Sequence, residues 1–188
     1  NRALEGPWTG KTVFFSKEHP QAWNAAGSVE TFDRAKAHNR VFVEGCCGKE
    51  SVLSSSFPWN DCLCVRITEE DDLTADYGLN KGLDALQGAN PGEAMLWLSL
   101  PCTGGSSWQR LNYSRPNGPQ IARKRRKLFI KLWNKSETLA RAFAMKHGYV
   151  CIEWPRYCSH WGLQKVQKLG KDLNLREACF DGCAFGLK

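Results

Sequence analysis

No stretch of this chain approaches the eighteen or so consecutive apolar residues that a membrane-crossing helix needs. No basic-then-apolar leader of the secretory type opens it either. An intracellular protein, in nucleus or cytoplasm and without a membrane partner, is the expectation. Histidine is scarce, at four in 188 residues, and no Cys-x-x-Cys pair is present, so the strongest zinc signature is missing. Acidic residues are also in deficit, 19 against 26 Lys and Arg, giving a formal charge of +7 and a pI near 9.0. A basic balance of this size points to a polyanionic partner such as nucleic acid. The chain opens on Asn1 rather than Met, which reads as a domain excised or processed from a larger protein.

What is present is a core. Hydrophobic residues make up 42% and aromatics 11%, enough for one substantial hydrophobic interior in a single domain. Nine cysteines is an odd number, and several fall inside apparent strands, so we read them as reduced thiols.

The chain is organised around Ala94–Asn112, AMLWLSLPCTGGSSWQRLN. Met95–Leu100 reads as a buried strand that stops at Pro101. Cys102, Thr103, Gly104-Gly105 and Ser106-Ser107 follow, so a thiol sits where a strand gives way to a small-residue turn. Ligands of open α/β sheets gather beyond the carboxyl ends of the strands, and Cys102 would stand on that rim.

Other elements fall around it in order. Residues 1–40, with Trp8, Phe14, Phe15 and Trp23, read as an N-terminal cap packed on the main sheet, with a strand at Thr12–Phe15 and a helix over about 20–37. Val41–Val43 is β-prone, Gly45 and Gly48 open a turn, and a short helix is expected from Ser51; such a unit brings backbone amides up to a nucleotide-like ligand. Cys62–Ile67 forms a second strand, followed by Glu69, Glu70, Asp71 and Asp72. A carboxylate just past the second strand suits ribose hydroxyls, with Glu69 the first choice, and the same acids suit the N-terminus of a helix over Tyr77–Gln87. Residues 110–118 read as a loop and Gln120–His147 as a long helix whose first half carries Arg123, Lys124, Arg125, Arg126 and Lys127. That block fits a solvated face, a localisation signal or a phosphate-contacting surface. Tyr149–Ile152 is a further strand with Glu153, Trp154 and Pro155 at its end; a helix over Leu163–Leu173 and a strand and turn over Leu175–Lys188 complete the chain. The pattern predicts an α/β fold over 41–188, a Rossmann-like doubly wound and mostly parallel sheet.

Three of these stretches carry a resemblance. Pro101-Cys102-Thr103 resembles the Pro-Cys-Gln nucleophile motif of the cytosine-C5 methyltransferases, and Glu153-Trp154-Pro155 keeps the glutamate of their Glu-Asn-Val motif. Glu44-Gly45-Cys46-Cys47-Gly48 resembles the first motif of S-adenosylmethionine-dependent methyltransferases, with Cys46 and Glu50 where further glycines usually stand. The family's Gln-x-Arg-x-Arg motif and its target-recognition region are not found, and only one helix separates the second strand from the Cys102 strand where a full methyltransferase sheet has another strand and helix. The resemblance therefore implies a methyltransferase-type sheet trimmed at one edge.

It also implies a chemistry. Cys102 would add as a thiolate to C6 of cytosine, Glu153 would protonate or hydrogen-bond N3, and Glu44, Gly45, Cys46, Gly48, Ser51, Glu69 and Pro101 would hold S-adenosylmethionine. The target would be DNA or RNA presented as a flipped or single-stranded base, with Trp108 placed to stack on it and Arg123–Lys127 on phosphates. A partner chain would supply target recognition. The alternative is a catalytically inactive methyltransferase-like module that binds nucleic acid or serves assembly within a polyprotein. Two further readings are a zinc module built from Cys158, His160, Cys179 and Cys183, and a cysteine hydrolase pairing Cys102 with His147 or His160.

Overall fold

The structure is a computed structural model that describes residues 11–16, 39–55, 62–107 and 109–180. Short apolar runs become strands: β1 (Lys11–Ser16), β2 (Arg40–Gly45), β3 (Cys62–Ile67), β4 (Ala94–Leu98), β5 (Tyr149–Pro155) and β6 (Leu175–Phe180). They form one six-stranded sheet in the order β3-β2-β4-β5-β1-β6. The first four in that order are parallel, and β1 runs antiparallel to both β5 and β6. The fold is thus α/β with a four-stranded parallel sheet, compatible with a Rossmann-like arrangement.

Strand alternation sorts the side chains onto two faces. Val41, Val43, Ile67, Leu96, Leu98, Val150, Ile152 and Trp154 share one core with the helices α1 (Asp76–Gln87), α3 (Gly118–Met145) and α4 (Gln164–Asp172). Helix α1 lies directly on α3, where a side chain at Gly82 would meet Leu139 at 3.0 Å. Arg141 of α3 pairs with Asp172 of α4 at 2.8 Å. The apolar stripe of α3, Phe129, Leu132, Trp133, Leu139 and Phe143, is buried, as its helical spacing requires. The opposite face carries Phe42, Glu44, Trp97, Cys151 and Glu153 in neighbouring register positions. A second helical layer on that face has no member among the described residues.

Four local expectations change. Residues 11–16 do not cap the sheet; they are a strand inside it, because both β5 and β6 offer them backbone partners. The rest of the expected cap, with its helix over 20–37, lies outside the described residues. No helix starts at Ser51 among the described residues; residues 48–55 make successive turns, with Ser51 N–H on Gly48 O and Ser55 N–H on Val52 O. Within the expected loop at 110–118 a short helix forms, α2 (Gln109–Tyr113). Strand β5 extends past Ile152 to Pro155, since β1 pairs Thr12 with Trp154 and Lys11 with Pro155. No described helix is long and apolar enough to cross a membrane.

Candidate functional site

Three adjacent parallel strands, β2, β4 and β5, deliver their carboxyl ends to one edge of the sheet. That edge gathers the Glu44–Gly48 turn, the Cys102 turn and Glu153.

Cys102 begins a single 3₁₀ turn, Cys102–Gly104, entered through exposed Pro101. Its thiol is half-buried against the core. The two glycines after it let the turn sit flat on what lies beneath. A Cβ on Gly105 would come within 2.8 Å of the His160 ring and 2.9 Å of Cys158 Sγ, and one on Gly104 within 3.4 Å of His160 Cε1. His160 is buried and stacks on Phe129 with ring centroids 3.8 Å apart. Burial pushes its pKa down to about 4, so the imidazole is neutral around pH 7. It is a packing floor for the thiol turn rather than a charged partner of the thiol. Two tethers complete the frame: Ser159 N–H donates to Gly105 O at 2.8 Å, and the Gln109 amide donates to Thr103 O. Cys158, also beneath the turn, is a buried thiol raised to about 11 by desolvation and by the nearby Cys102.

Glu153 lies inside β5, half-buried on the face opposite the helices. Its Oε2 accepts from Trp97 Nε1 at 3.2 Å and from Ser99 Oγ at 3.4 Å. Trp154 does not desolvate it: alternation sends Trp154 to the other face, where it is fully buried and donates to Leu100 O at 2.8 Å. The indole beside Glu153 is Trp97.

Glu44 is buried at 4% exposure. Oε1 accepts from Ser51 Oγ at 2.7 Å, while Oε2 is buried with no hydrogen-bond partner. A buried carboxylate oxygen without a donor is costly, on the order of 1–3 kcal/mol, and marks a place where a ligand donor would be stabilised. Gly45 is required for packing, since a Cβ there would lie 2.8 Å from Leu98 Cδ2. Cys46 takes φ 59, the left-handed conformation that favours glycine, so the turn keeps a glycine-like backbone with a thiol on it. That thiol is packed against the core and raised to about 12 by burial. Gly48 is exposed with open space around it.

The turn after β3 lies beside the Glu44 turn, and Lys49 bridges to Glu70 across the two. The side chain of Glu69 is exposed and has no hydrogen bond or ion pair among the described residues. Its neighbour Asp71 is committed to structure, accepting from Thr68 N–H at 2.8 Å and Lys81 Nζ at 2.7 Å.

The first half of α3 runs beside the thiol turn: the Arg125 carbonyl carbon lies 3.7 Å from where a Gly104 Cβ would stand. Arg123, Lys124, Arg126 and Lys127 are exposed and Arg125 is half-buried. None of the five forms an ion pair among the described residues, whereas Lys135 and Arg141 further along the helix do. Trp108 and Cys183 lie outside the described residues. Among those described, no group of three or more His, Cys, Asp or Glu side chains is placed to hold a metal ion.

Glu44, Gly45, Cys46, Gly48 and Ser51 lie at and just past the end of β2, Pro101 and Cys102 just past β4 and Glu153 in β5, with Glu69 on the adjoining turn; Glu44 and Glu153 face away from the helices, whereas the Cys102 turn packs on the helix-side core. Sequence reasoning missed Trp97 and Ser99, which hold Glu153, and Gln109, which holds the thiol turn; His160 it offered as a catalytic partner of Cys102 or a zinc ligand, whereas it lies beneath the turn as packing. The first pair was readable: residues 97 and 99 alternate along β4 and so share a face. Comparison with protein-family models, curated proteins and solved structures returns no match to this chain.

Proposed function

We propose that this domain transfers a methyl group from S-adenosylmethionine to C5 of cytosine in nucleic acid. One observation supports the reading: the parallel strands β2, β4 and β5 end at the same edge of the sheet, with Glu44 and Glu153 on the face opposite the helices and the Cys102 turn following β4 on the helix-side core.

The residues at the β2 edge fit the donor. S-adenosylmethionine offers an ammonium group and paired ribose hydroxyls, all hydrogen-bond donors, and supplies a methyl group on a sulfonium. Glu44 Oε2 lacks such a donor, and Glu69 presents a free carboxylate at the next turn. The open backbone at Gly48 leaves room for close approach.

Cys102, on the thiol turn, attacks C6 as the thiolate, forming the S–C6 bond and moving the C5–C6 electron pair toward C5. Glu153 hydrogen-bonds or protonates N3 as charge builds on the ring, held for that task by Trp97 and Ser99. C5 would then take the methyl group as S-adenosylhomocysteine leaves, and loss of the C5 proton to solvent would break the S–C6 bond and return the Cys102 thiolate. His160 keeps the turn seated without sharing its proton.

Calorimetric titration with S-adenosylmethionine, beside Glu69→Ala, tests the donor site. Transfer of a labelled methyl group to a cytosine-containing oligonucleotide, beside Cys102→Ala, tests the chemistry. Micromolar binding weakened by the first change and transfer abolished by the second are the expected results; no binding by the intact domain would retire the enzyme. The unpaired Arg123–Lys127 block favours one second reading, an inactive methyltransferase-like module that binds nucleic acid, in which Cys102→Ala leaves every function intact.

A further inference from the structure

Helix α2 and the loop after β5 are both tied directly to the Cys102 turn, the first by Gln109 on Thr103 O and the second by Ser159 on Gly105 O. Each ends in an aromatic side chain that the fold leaves in water. Tyr113, at the end of α2, is 57% exposed, and Tyr157 is 66% exposed. Arg156 lies over the Tyr157 ring at 5.7 Å. Helix α2 presses on the start of α3 so closely that a Cβ at Gly118 would collide with Asn112 O, which fixes α2 against the basic helix. The elements that carry the thiol turn, the two exposed tyrosines and the five cations that form no ion pair among the described residues thus touch one another: α2 and the loop after β5 contact the turn, and α3 contacts both α2 and the turn.

We infer that this surface is a single-strand clamp: Tyr113 and Tyr157 stack on bases at either side of the Cys102 turn while the Arg123–Lys127 block holds the phosphates. The chemistry selects the partner. Every base has a π-face that an exposed ring can cover, and stacking needs bases that are not already paired. A duplex offers the cations its phosphates but hides its base faces. An acidic protein or an anionic lipid surface would satisfy the cations and leave flanking tyrosines without a role. The inference deepens the methyl-transfer reading by naming the form of its substrate: the reacting base arrives on a single strand and no duplex need be opened.

The test is fluorescence anisotropy with a labelled mixed-sequence oligonucleotide of about 16 nucleotides, as single-stranded RNA, single-stranded DNA and the DNA duplex, without donor present. We expect either single strand to bind at least about ten times more tightly than the duplex, with a log–log salt slope of about −3 for some five phosphates. Tyr113→Ala and Tyr157→Ala should each weaken single-strand binding about 5- to 100-fold and leave the duplex unaffected, whereas Arg126→Ala with Lys127→Ala should weaken both and flatten the salt slope. The RNA and DNA arms identify which strand is held. Equal or tighter duplex binding, tyrosine variants that bind as the parent does, or binding to phosphatidylserine vesicles without oligonucleotide binding would each overturn the inference. S-adenosylmethionine titration of the same variants separates the two readings: donor binding without strand binding defeats only the clamp, and strand binding without donor binding defeats only the enzyme.

Discussion

The Trp97 indole N–H donates to Glu153 Oε2 at 3.2 Å, joining β4 to β5 a few residues before the Cys102 turn. Ser99 Oγ lies on the same oxygen at 3.4 Å, so two donors from β4 and its end orient the carboxyl group. Replacing Glu153 with Gln removes the acid and keeps an acceptor for the indole. Methyl transfer should fall by about 100-fold or more, the usual worth of a positioned acid, with donor affinity unchanged. Single-turnover rates beside calorimetry would show it; equal rates would remove Glu153 from the chemistry.

Ser51→Ala withdraws the donor to Glu44 Oε1 and leaves both carboxylate oxygens without partners. A stability loss of about 1–3 kcal/mol is expected in urea unfolding. The loss should shrink when S-adenosylmethionine is added, since a bound donor group restores a partner to the carboxylate.

Gly105 has φ −115, a conformation any residue can adopt, so Gly105→Ala tests space alone. The new methyl would stand 2.8 Å from the His160 ring and 2.9 Å from Cys158 Sγ. Overpacking of this kind costs about 1–3 kcal/mol and should lift the thiol turn. Methyl transfer should drop while donor binding, centred on β2 and β3, holds. A loss of both would mean that the turn and the donor site are one mechanical unit.

His160 gives the fold a pH dependence with a definite sign. Its folded pKa is held near 4 by burial, below its ordinary 6.5, so between those values the unfolded chain binds a proton that the native state refuses. Its contribution to stability is complete above pH 6.5 and is lost as pH falls through about 4. The carboxylates of Asp72, Asp76 and Asp172, lowered by hydrogen bonds from Thr74, Lys135, and Lys168 with Arg141 respectively, and of Asp71, where desolvation is outweighed by hydrogen bonds from Lys81 and Thr68, act further down, below the ordinary Asp value of 3.8. Urea midpoints measured from pH 7 to 4 should slope downward, and His160→Phe, which keeps a ring against Phe129, should flatten that slope. An unchanged slope would refute the assignment.

Lys146, just past α3, donates from Nζ to Leu86 O, Gln87 O and Ala89 O at 2.8, 2.8 and 2.7 Å, closing the carboxyl end of α1. Lys146→Met keeps the stem and removes the charge. It should cost about 1.5–3 kcal/mol, read as a lower urea midpoint at constant slope.

The elements that were legible in the sequence are those whose partners matter least. Apolar runs marked β2, β3, β4 and β5, and the spacing of Leu128, Phe129, Leu132, Leu139, Phe143 and Met145 marked α3, because burial of a face is written locally; of these six, Leu128 and Met145 lie exposed off the buried stripe. Pairing is not. Nothing in Lys11–Ser16 says that it lies between β5 and β6, and for that reason the extension of β5 through Glu153 was missed. His160 was invisible as the floor of the thiol turn for the same reason: the contact spans the whole of α3 and β5, and only the fold brings Gly105 to it. The acid cluster after β3 was read as two functions at once, and the structure divides it, with Asp71 tied to Lys81 and Glu69 left exposed.

The place of β1 has a consequence for how the chain comes together. Among the described strands the first in the chain has the last two as its neighbours, Phe14 paired with Ile152 on one side and with Glu177 on the other. Parallel β2, β3 and β4 with α1 can collapse as synthesis proceeds, but β6 has no seat until the early segment has been retrieved and laid down beside β5. Until then the β5 edge is an open template that a neighbouring copy's β1 could occupy. The lock that closes this sheet is therefore also the segment most readily exchanged between two molecules.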